Sequence, residues 1–339
     1  MSAYTVSMWV KSGEDNPTQW RAFFNTYNNP GNGFQMDSGG SSNYRFYAHA
    51  GQGSFGANSL KSTWVHLAAV AGSSQTKLYY NGVLVSTNNW VESDWNQIEI
   101  GRNRNADRPG NYFLDEVRVW DVALSQADIQ SWMHKPLSSS HPNYSDLQVY
   151  FQMNSNSISG GNNLLDISGN SNNATLYNVS GIQTSSSNVP VTDLISSYQT
   201  DVESIWSSTG TSDSEDSNGL KMSVSSTLAE ANFVIFGNND DNSGTTSSDI
   251  SGISKRSKRE WHLDETGTVS ADVKVDIGDA TGHTGTISAA SNYKLLYATC
   301  GGCTFVELET GDSVSGDVVT FSSVAIKDGI YAIASADSN

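Results

Sequence analysis

Three arginines share one short loop, and their spacing suggests a site for an anionic or hydroxyl-rich ligand. Arg102, Arg104 and Arg108 lie in the segment I-G-R-N-R-N-A-D-R-P-G-N, between two alternating strand patterns. A protein core would not hold three guanidinium groups so close together, because each buried one needs a partner. We therefore expect these side chains to be exposed, to pair with nearby carboxylates, or to offer their planar donor forks to a ligand.

Aromatic residues near this arginine loop (residues 101–111) could complete a carbohydrate site. Trp90 and Trp95 precede the loop, and other hairpins contribute Trp20, Tyr27, Tyr44 and Tyr47. Sugars stack their apolar C–H faces on aromatic rings and exchange hydrogen bonds with Asn, Asp and Arg. The alternative is that about half of these rings are core residues. The predicted ligand contacts are Tyr27, Tyr44, Trp90, Trp95, Arg102, Arg104 and Arg108.

A second candidate site is the segment D-I-S-G-N-S-N-N, which spaces short oxygen-bearing side chains two residues apart. Calcium prefers carboxylate, amide and carbonyl oxygens, and Gly169 would permit the sharp turn that a cation loop needs. The same pattern also fits a turn held by Asx hydrogen bonds without a metal. The predicted Ca²⁺ ligands in this segment are Asp166, Ser168, Asn170 and Asn172.

Catalysis is not expected from the motifs. A retaining glycosidase needs two carboxylates about 5 Å apart, and the closest strings, V-E-S-D-W and H-L-D-E-T-G, lack the E-x-D-x-x-E arrangement. Neither a G-x-S-x-G nor an H-E-x-x-H motif is present, and no glycine loop suits a phosphate. The sequence favours a binding module over an enzyme such as a glycosidase or lyase.

The charge distribution narrows the range of partners. Residues 1–190 contain 10 Lys and Arg against 13 Asp and Glu, which leaves 8 and 22 for residues 191–339. An acidic second half repels nucleic acid and anionic membranes, and no apolar run is long enough to span a bilayer. The predicted partner is a glycan or polysaccharide, including anionic ones, on a host or neighbouring cell surface.

The strand pattern predicts an all-β protein. Short alternating runs such as Y-T-V-S-M-W-V-K are separated by Gly, Asn and Ser turns, a pattern typical of antiparallel sandwiches. Asn81-Gly82 predicts a tight hairpin turn. The segment from Ala123 to Met133 predicts one helix, with Ser125 as its N-cap and Asp128 at N3.

Several motifs occur in an order that resembles the laminin-G-like/concanavalin-A-like lectin family. They are S-M-W-V-K, W-V-H-L-A-A-V, K-L-Y-Y-N-G-V-L-V-S, I-E-I-G-R-N and F-L-D-E-V-R-V-W-D-V-A-L-S, within residues 4–182. The resemblance implies a jelly-roll sandwich that binds carbohydrate, often with one Ca²⁺, and would add Asp115 as a ligand. The segment 146–176 resembles the opening of such a domain although it follows the body, and we expect it to complete the same sandwich.

The second half predicts a smaller β-sandwich. Its strings R-E-W-H-L-D-E-T-G-T-V and D-G-I-Y-A-I-A resemble a module of large secreted bacterial surface proteins. The predicted domains are therefore a lectin-like domain over residues 1–185 and an acidic sandwich over residues 186–339. Cys300 and Cys303 flank two glycines, which predicts a local disulfide across a hairpin turn.

We expect an extracellular protein that acts as a carbohydrate-binding module of an adhesin or of a polysaccharide-degrading system. The alternative is a structural or protein-binding adhesin segment. The sequence opens on a strand directly after Met1 to Ala3 instead of on a signal peptide, which we interpret as an expression start.

Overall fold

A computed structural model of the chain separates into two compact units, Met1–Val189 and Pro190–Asn339. The predicted boundary between residues 185 and 186 lies outside the described residues. No helix within the described part of the chain has the length and apolar character to cross a membrane. The described residues are 3–15, 17–27, 32–40, 43–56, 63–93, 95–154, 158–159, 163–177, 189–192, 194–214, 216–242, 244–250 and 253–335.

The first unit consists mainly of short antiparallel strands. They are β1 (Tyr4–Ser12), β2 (Ala22–Asn25), β3 (Phe34–Gly40), β4 (Asn43–Ala48), β5 (Gln52–Ser54), β6 (Val65–Ala71), β7 (Thr76–Tyr80), β8 (Val83–Asn88), β9 (Glu99–Ile100), β10 (Tyr112–Trp120), β11 (Leu147–Phe151), β12 (Ile158–Ser159), β13 (Asn163–Leu164) and β14 (Ala174–Thr175). Six form a sheet in the order β11-β10-β1-β6-β7-β8, five form a sheet in the order β5-β4-β3-β2-β9, and β12 to β14 form a small third sheet.

Both larger sheets contribute side chains to one core. The inward residues of β1, β6 and β10 pack with those of β2, β3 and β4, including Met8, Leu67, Phe24, Phe34 and Phe46. Alternation of side chains across each strand puts these residues inside and their neighbours outside. The result is the predicted concanavalin A-like jelly roll, and the all-β prediction is confirmed.

The segment that follows β10 completes this unit, as predicted. Strand β11 pairs with β10 at the edge of the six-stranded sheet, and Leu164 joins the core. Helix α1 (Gln126–Met133) has the predicted capping box between Ser125 and Asp128.

A buried ion pair fastens the end of α1 to the sheet. Arg118 of β10 pairs with Glu116 and donates to the carbonyl oxygens of Trp132, at 2.8 Å, and Lys135, at 2.6 Å. Tyr150 of β11 donates to the same Glu116 carboxylate at 2.6 Å. This buried guanidinium therefore has the partners that its burial requires.

The second unit is also β-rich. Its strands are β15 (Thr200–Ile205), β16 (Leu220–Ser223), β17 (Phe233–Asn238), β18 (Thr245–Thr246), β19 (Lys255–Ser257), β20 (Trp261–Thr266), β21 (Ser270–Asp276), β22 (Tyr293–Ala298), β23 (Val306–Thr310), β24 (Ser313–Ser315), β25 (Val318–Ala325) and β26 (Gly329–Ser335). Strands β15, β17, β20, β26, β19 and β18 form one sheet, in which β26 also pairs with β22 and β22 with β23. A four-stranded sheet has the order β16-β21-β25-β24.

Two local features of this unit bear on the sequence predictions. The predicted disulfide is present: Cys300 and Cys303 are bonded, with Cα atoms 5.3 Å apart, between β22 and β23. The alternating run T-V-S-A-D-V-K-V-D-I predicts a strand over residues 268–277, but β21 ends at Asp276, because α2 (Ile277–Thr281) begins after an N-cap at Asp276. The helix ends at Gly282, which lies in the left-handed region. The Asp and Gly that bound this short helix are ordinary helix-end signals.

Candidate functional site

The outer face of the five-stranded sheet carries a row of polar side chains. Register places Tyr47 opposite Gln35, Gln35 opposite Asn25, and Asn25 opposite Glu99. On the next row Asp37 lies opposite Arg45. The alternate residues of the same strands point into the core, so the sheet fixes this polar row against a rigid apolar layer.

The arginine loop covers part of this row and is anchored to it. The backbone N–H of Arg104 donates to Oε1 of Gln35 at 3.1 Å, and the N–H of Gly110 donates to the carbonyl of Gly101 at 3.2 Å. Inside the loop, Oδ1 of the buried Asn103 accepts the N–H of Asp107 at 3.3 Å. These bonds hold the loop in one conformation before any ligand arrives, which lowers the entropy cost of binding.

A pocket of about 240 Å³ opens between the arginine loop and the sheet. Its volume lies just below the range of roughly 300–1,000 Å³ that encloses drug-sized ligands, and it would suit a sugar ring. Eight residues line it: Trp20, Gln35, Arg45, Tyr47, Asn103, Arg104, Asn105 and Arg108. We call it the arginine pocket.

Aromatic rings orient the guanidinium groups of this pocket. The Cζ atom of Arg104 lies 4.5 Å from the centroid of the Tyr47 ring and 5.4 Å from that of Tyr27. Arg45 lies over Tyr47 at 4.7 Å, and Arg108 lies over Trp20 at 4.7 Å. A guanidinium that stacks on a ring keeps its N–H edge available for hydrogen bonds. The faces of these rings therefore position the cations.

The three pocket arginines differ in how their charge is balanced. Arg45 forms a two-point pair with the buried Asp37, at 3.0 Å from Nε and 2.7 Å from Nη2. Burial raises the pKa of Asp37, and the hydrogen bonds and charge of Arg45 act in the opposite direction. Arg108 contacts Asp107 only at 4.0 Å. Among the described residues no carboxylate lies within ion-pair distance of Arg104, whose Nη1 contacts the Tyr27 hydroxyl at 3.5 Å.

Trp20 adopts a backbone conformation that few non-glycine residues take. Its φ is +68°, and its N–H donates to the carbonyl of Ser38 at 2.7 Å. The side chain is 40% exposed and lines the arginine pocket. A non-glycine residue in the left-handed region costs on the order of 1–3 kcal/mol, and such strain clusters at functional sites.

The structure brings together only part of the predicted ligand set. Arg104 and Arg108 line the pocket, and Tyr27 lies behind Arg104, largely buried. Arg102 is exposed but is not among the lining residues. It pairs with Glu99, which also accepts a hydrogen bond from Asn25 at 3.0 Å.

Tyr44 and Trp95, which the sequence predicts as ligand contacts, are instead core residues. Tyr44 is 1% exposed and meets Phe23 edge to face; Trp95 is 6% exposed and packs edge to face on Tyr4 and Phe34. Trp90 does not line the pocket either. Its ring packs against Phe46 with centroids 5.7 Å apart. These three rings stabilise the core instead of offering a face to a ligand.

The predicted calcium segment forms a turn whose oxygens accept hydrogen bonds. Oδ1 of Asp166 accepts the N–H of Tyr150 and of Ser168, both at 2.9 Å. Oδ2 accepts the Ser168 hydroxyl at 2.9 Å and the N–H of Asn172 at 2.8 Å. The amides of Asn170 and Asn172 donate to carbonyls of β11.

The contacts of this segment are those of a hydrogen-bonded turn. Within the described residues no group of three His, Cys, Asp or Glu side chains is suited to a metal. Asp115, the ligand that the resemblance adds, instead accepts the N–H of Glu116 at 2.9 Å. A turn held by Asx hydrogen bonds, the alternative to a metal site, accounts for the contacts of residues 166–173. Calcium binding stays a prediction.

Sequence reasoning missed four lining residues, Gln35, Arg45, Asn103 and Asn105, and it considered Trp20 and Tyr47 without including them among the predicted ligand contacts. A usable signal existed for Arg45: in N-Y-R-F-Y-A, residues 44, 46 and 48 share one face of a strand, and 45 and 47 share the other. That alternation separates Tyr44 from Tyr47 and groups Tyr47 with Arg45. No comparable pattern marks Asn103 and Asn105, which lie in an irregular loop.

Comparison with known protein families gives two matches within the chain. Residues 1–130 match the concanavalin A-like lectin/glucanases superfamily. Strands β1 to β10 and the arginine loop all fall within that match. Residues 170–330 match a second family, described as a domain of unknown function (DUF8202). No curated protein matches the chain.

Several solved structures are similar to part of the chain at low sequence identity. One is a candidate carbohydrate-binding protein from Bacteroides ovatus, with 17% identity and a TM-score of 0.43, over 52% of this chain and 54% of that one. Another is domain 4 of an extracellular arabinanase from Geobacillus stearothermophilus in complex with arabinotriose, with 22% identity, a TM-score of 0.32, and coverage of 37% and 64%. A heptameric pentraxin from Limulus polyphemus has 16% identity, a TM-score of 0.32, and coverage of 38% and 69%. The chain spans about half of the first of these proteins.

Proposed function

We propose that the first unit is a carbohydrate-binding module and that the arginine pocket is its binding site. The observation that carries this proposal is the combination of Trp20 and Tyr47 with Arg104 and Arg108 around one cavity. Aromatic faces bind the C–H faces of sugars, while Arg and Asn donors bind their hydroxyls. The match to a superfamily of lectins and glucanases supports the same ligand class.

Binding without turnover is the form of this function that the lining supports. The described residues that line the pocket include no carboxylate, and the nearby Asp37 is engaged by Arg45. Glycoside hydrolysis uses a pair of carboxylates, one of which must be protonated or nucleophilic. The alternative of a concanavalin-fold glycosidase therefore has no paired acids at this pocket.

We place the module in an extracellular protein, as part of an adhesin or a polysaccharide-degrading system. The disulfide between Cys300 and Cys303 supports this setting, because disulfides persist mainly in oxidising compartments. Calcium assistance belongs to the same proposal and is tested separately at the turn formed by residues 166–173.

A glycan array with matched tyrosine variants tests the proposed site. Tyr47→Ala removes the ring between Arg45 and Arg104 and should weaken binding by about 1–3 kcal/mol, the usual size of a lost central contact. Tyr177→Ala is the control, because Tyr177 is 82% exposed and does not line the pocket. If the Tyr47→Ala variant binds the same array glycans as strongly as the parent, the ligand binds elsewhere. A parent protein that binds no glycan would favour the structural or protein-binding alternative.

A further inference from the structure

The arginine pocket contains more positive charge than its neighbours neutralise. Asp37 balances Arg45 through a two-point pair, which leaves Arg104 and Arg108. The Arg108–Asp107 contact is long, at 4.0 Å, and both side chains are more than a third exposed, so that pair contributes little. This local excess occurs in a chain whose formal net charge is −17.

Among the described residues no carboxylate pairs with the guanidinium of Arg104, which other contacts hold in place. Two tyrosine rings lie within 5.4 Å of its Cζ atom, and its backbone N–H is fixed by Gln35. Partial burial lowers the pKa of Arg104, and hydrogen bonds to the hydroxyls of Tyr47 and Tyr27 more than offset this, so the group stays charged. A positioned planar donor fork matches the two oxygens of a carboxylate.

We propose, resting on the proposed function, that the arginine pocket selects glycans that contain carboxylated sugars such as uronic acids. Arg104 makes the two-point contact with the sugar carboxylate, and Arg108 on the Trp20 ring adds a second cation. Trp20 and Tyr47 bind the apolar face of the same or the adjoining sugar. Asn103 and Asn105 bind hydroxyl groups, which distinguishes a uronate from a simple carboxylic acid.

Two other features of the molecule give weaker grounds for proposing a binding site. The cavity of about 230 Å³ in the second unit has Tyr293 and Arg256 in its lining, but the charge of Arg256 is balanced by Glu260 at 2.9 Å, and the ring on which it stacks, Phe305, is not a lining residue. The exposed apolar edge of β8, Val83 to Val85, has nothing that shows what would cover it.

Calorimetric titration with chemically matched oligosaccharides tests the proposal. The probes are an oligogalacturonate, the same oligosaccharide with its carboxyl groups methyl-esterified, and a sulfated galactan oligosaccharide of equal length. We expect the oligogalacturonate to bind and esterification to weaken binding roughly tenfold to hundredfold, with an affinity that falls as salt increases. Equal binding of the acid and the ester, together with other glycan hits, would overturn the carboxylate inference and leave the proposed function standing. Tighter binding of the sulfated probe would also overturn it, whereas a protein that binds no glycan at all would overturn both proposals.

A matched pair of arginine variants locates the contact. Arg104→Gln should remove most of the preference for acid over ester, because it removes the two-point contact with the sugar carboxylate and leaves only Arg108 as a cation, while the rest of the pocket still binds sugar hydroxyls. Arg102→Gln is the control, since Arg102 lies in the same loop but pairs with Glu99 outside the pocket lining. A preference that survives Arg104→Gln, or that is lost equally in Arg102→Gln, would contradict the assignment.

Discussion

At the scale of single residues, aromatic rings rather than acids hold two of the pocket's three arginines. Arg104 stacks on Tyr47 and Tyr27, and Arg108 stacks on Trp20. A cation on an exposed ring gains roughly 0.5–1 kcal/mol, whereas a strong ion pair would consume the donors that a ligand needs. The arrangement is less stabilising than ion pairs would be, but it leaves N–H groups that a ligand can reach. The left-handed backbone at Trp20 also costs stability.

Trp95 provides a residue-scale prediction that separates core from site. Its ring packs on Tyr4 and Phe34 inside the first unit, so Trp95→Ala should lower the free energy of unfolding by about 3–5 kcal/mol. Glycan affinity of the fraction that remains folded should not change. Chemical denaturation and titration of the same preparation measure both quantities. If the variant has the stability of the parent but binds glycan more weakly, Trp95 contacts the ligand after all.

Sequence alone could predict features that depend on only a few neighbouring residues. Asn81-Gly82, the Ser125 capping box and the Cys300–Cys303 disulfide are local signals, and all three are confirmed. Trp95 and Tyr44 look like loop-facing aromatics because an isolated ring carries no mark of its direction. Only the pairing of β3 with β4 and the packing of the two sheets decide which rings face inward.

At the scale of elements, the turn formed by residues 166–173 acts as a clamp on β11. The Asp166 carboxylate accepts four hydrogen bonds, three of them from backbone N–H groups. Asn170 and Asn172 add bonds to the carbonyls of Leu147 and Gln148. The edge strand of the larger sheet thereby gains partners on its outer side, which protects it from pairing with other chains.

Replacement of Asp166 tests whether hydrogen bonds or a cation hold this turn. Asp166→Ala leaves buried N–H groups without an acceptor, and we expect a loss of about 2–4 kcal/mol in the free energy of unfolding. The loss should be present in EDTA as well as in excess Ca²⁺, because the bonds described need no metal. Melting curves of the parent and the variant in both buffers distinguish hydrogen bonds from a bound cation as the source of stability. A loss seen only with Ca²⁺, together with a parent that melts higher in Ca²⁺, would show that calcium binds there.

Placement of the arginine loop also belongs to the element scale. Its ends pair with each other near Arg102 and Pro109, and Pro109 bridges to Ala22 of β2. The sequence indicates the strands on either side of the loop and its exposed character. It does not indicate that the loop folds over Gln35, since that contact joins residues 69 positions apart.

At the scale of the whole molecule, buried histidines predict sensitivity to acid. Burial lowers the pKa of His141 to about 4 and holds that of His66 well below its ordinary value, with Arg118 adding to both shifts. The unfolded chain binds these protons near pH 6.5, so stability is present above that pH and is lost as the pH falls toward 4. At pH 5 the lowered pKa of His141 should cost about 2 kcal/mol of stability, and His66 should act in the same direction.

Urea denaturation at pH 7 and pH 5 measures this acid sensitivity. His141→Gln should reduce the difference in stability between the two pH values, whereas replacement of the exposed His49 by Gln should preserve it. An unfolding midpoint that is the same at both pH values in the parent would contradict the account. Binding should be measured near pH 7, where the native state is stable and sugar carboxylates are ionised.

The most direct test of the central claim is hydrogen–deuterium exchange of the whole chain with and without an oligosaccharide that binds it. The arginine pocket consists of the backbone around Trp20, the outer face of β3 and β4, and the loop that bears Arg104 and Arg108. We predict that the ligand slows exchange in peptides covering residues 18–21 and 101–111 and leaves the 166–173 turn and the second unit unchanged. Protection confined to the turn, to the β8 edge or to the second unit would contradict the proposal that this pocket is the carbohydrate site.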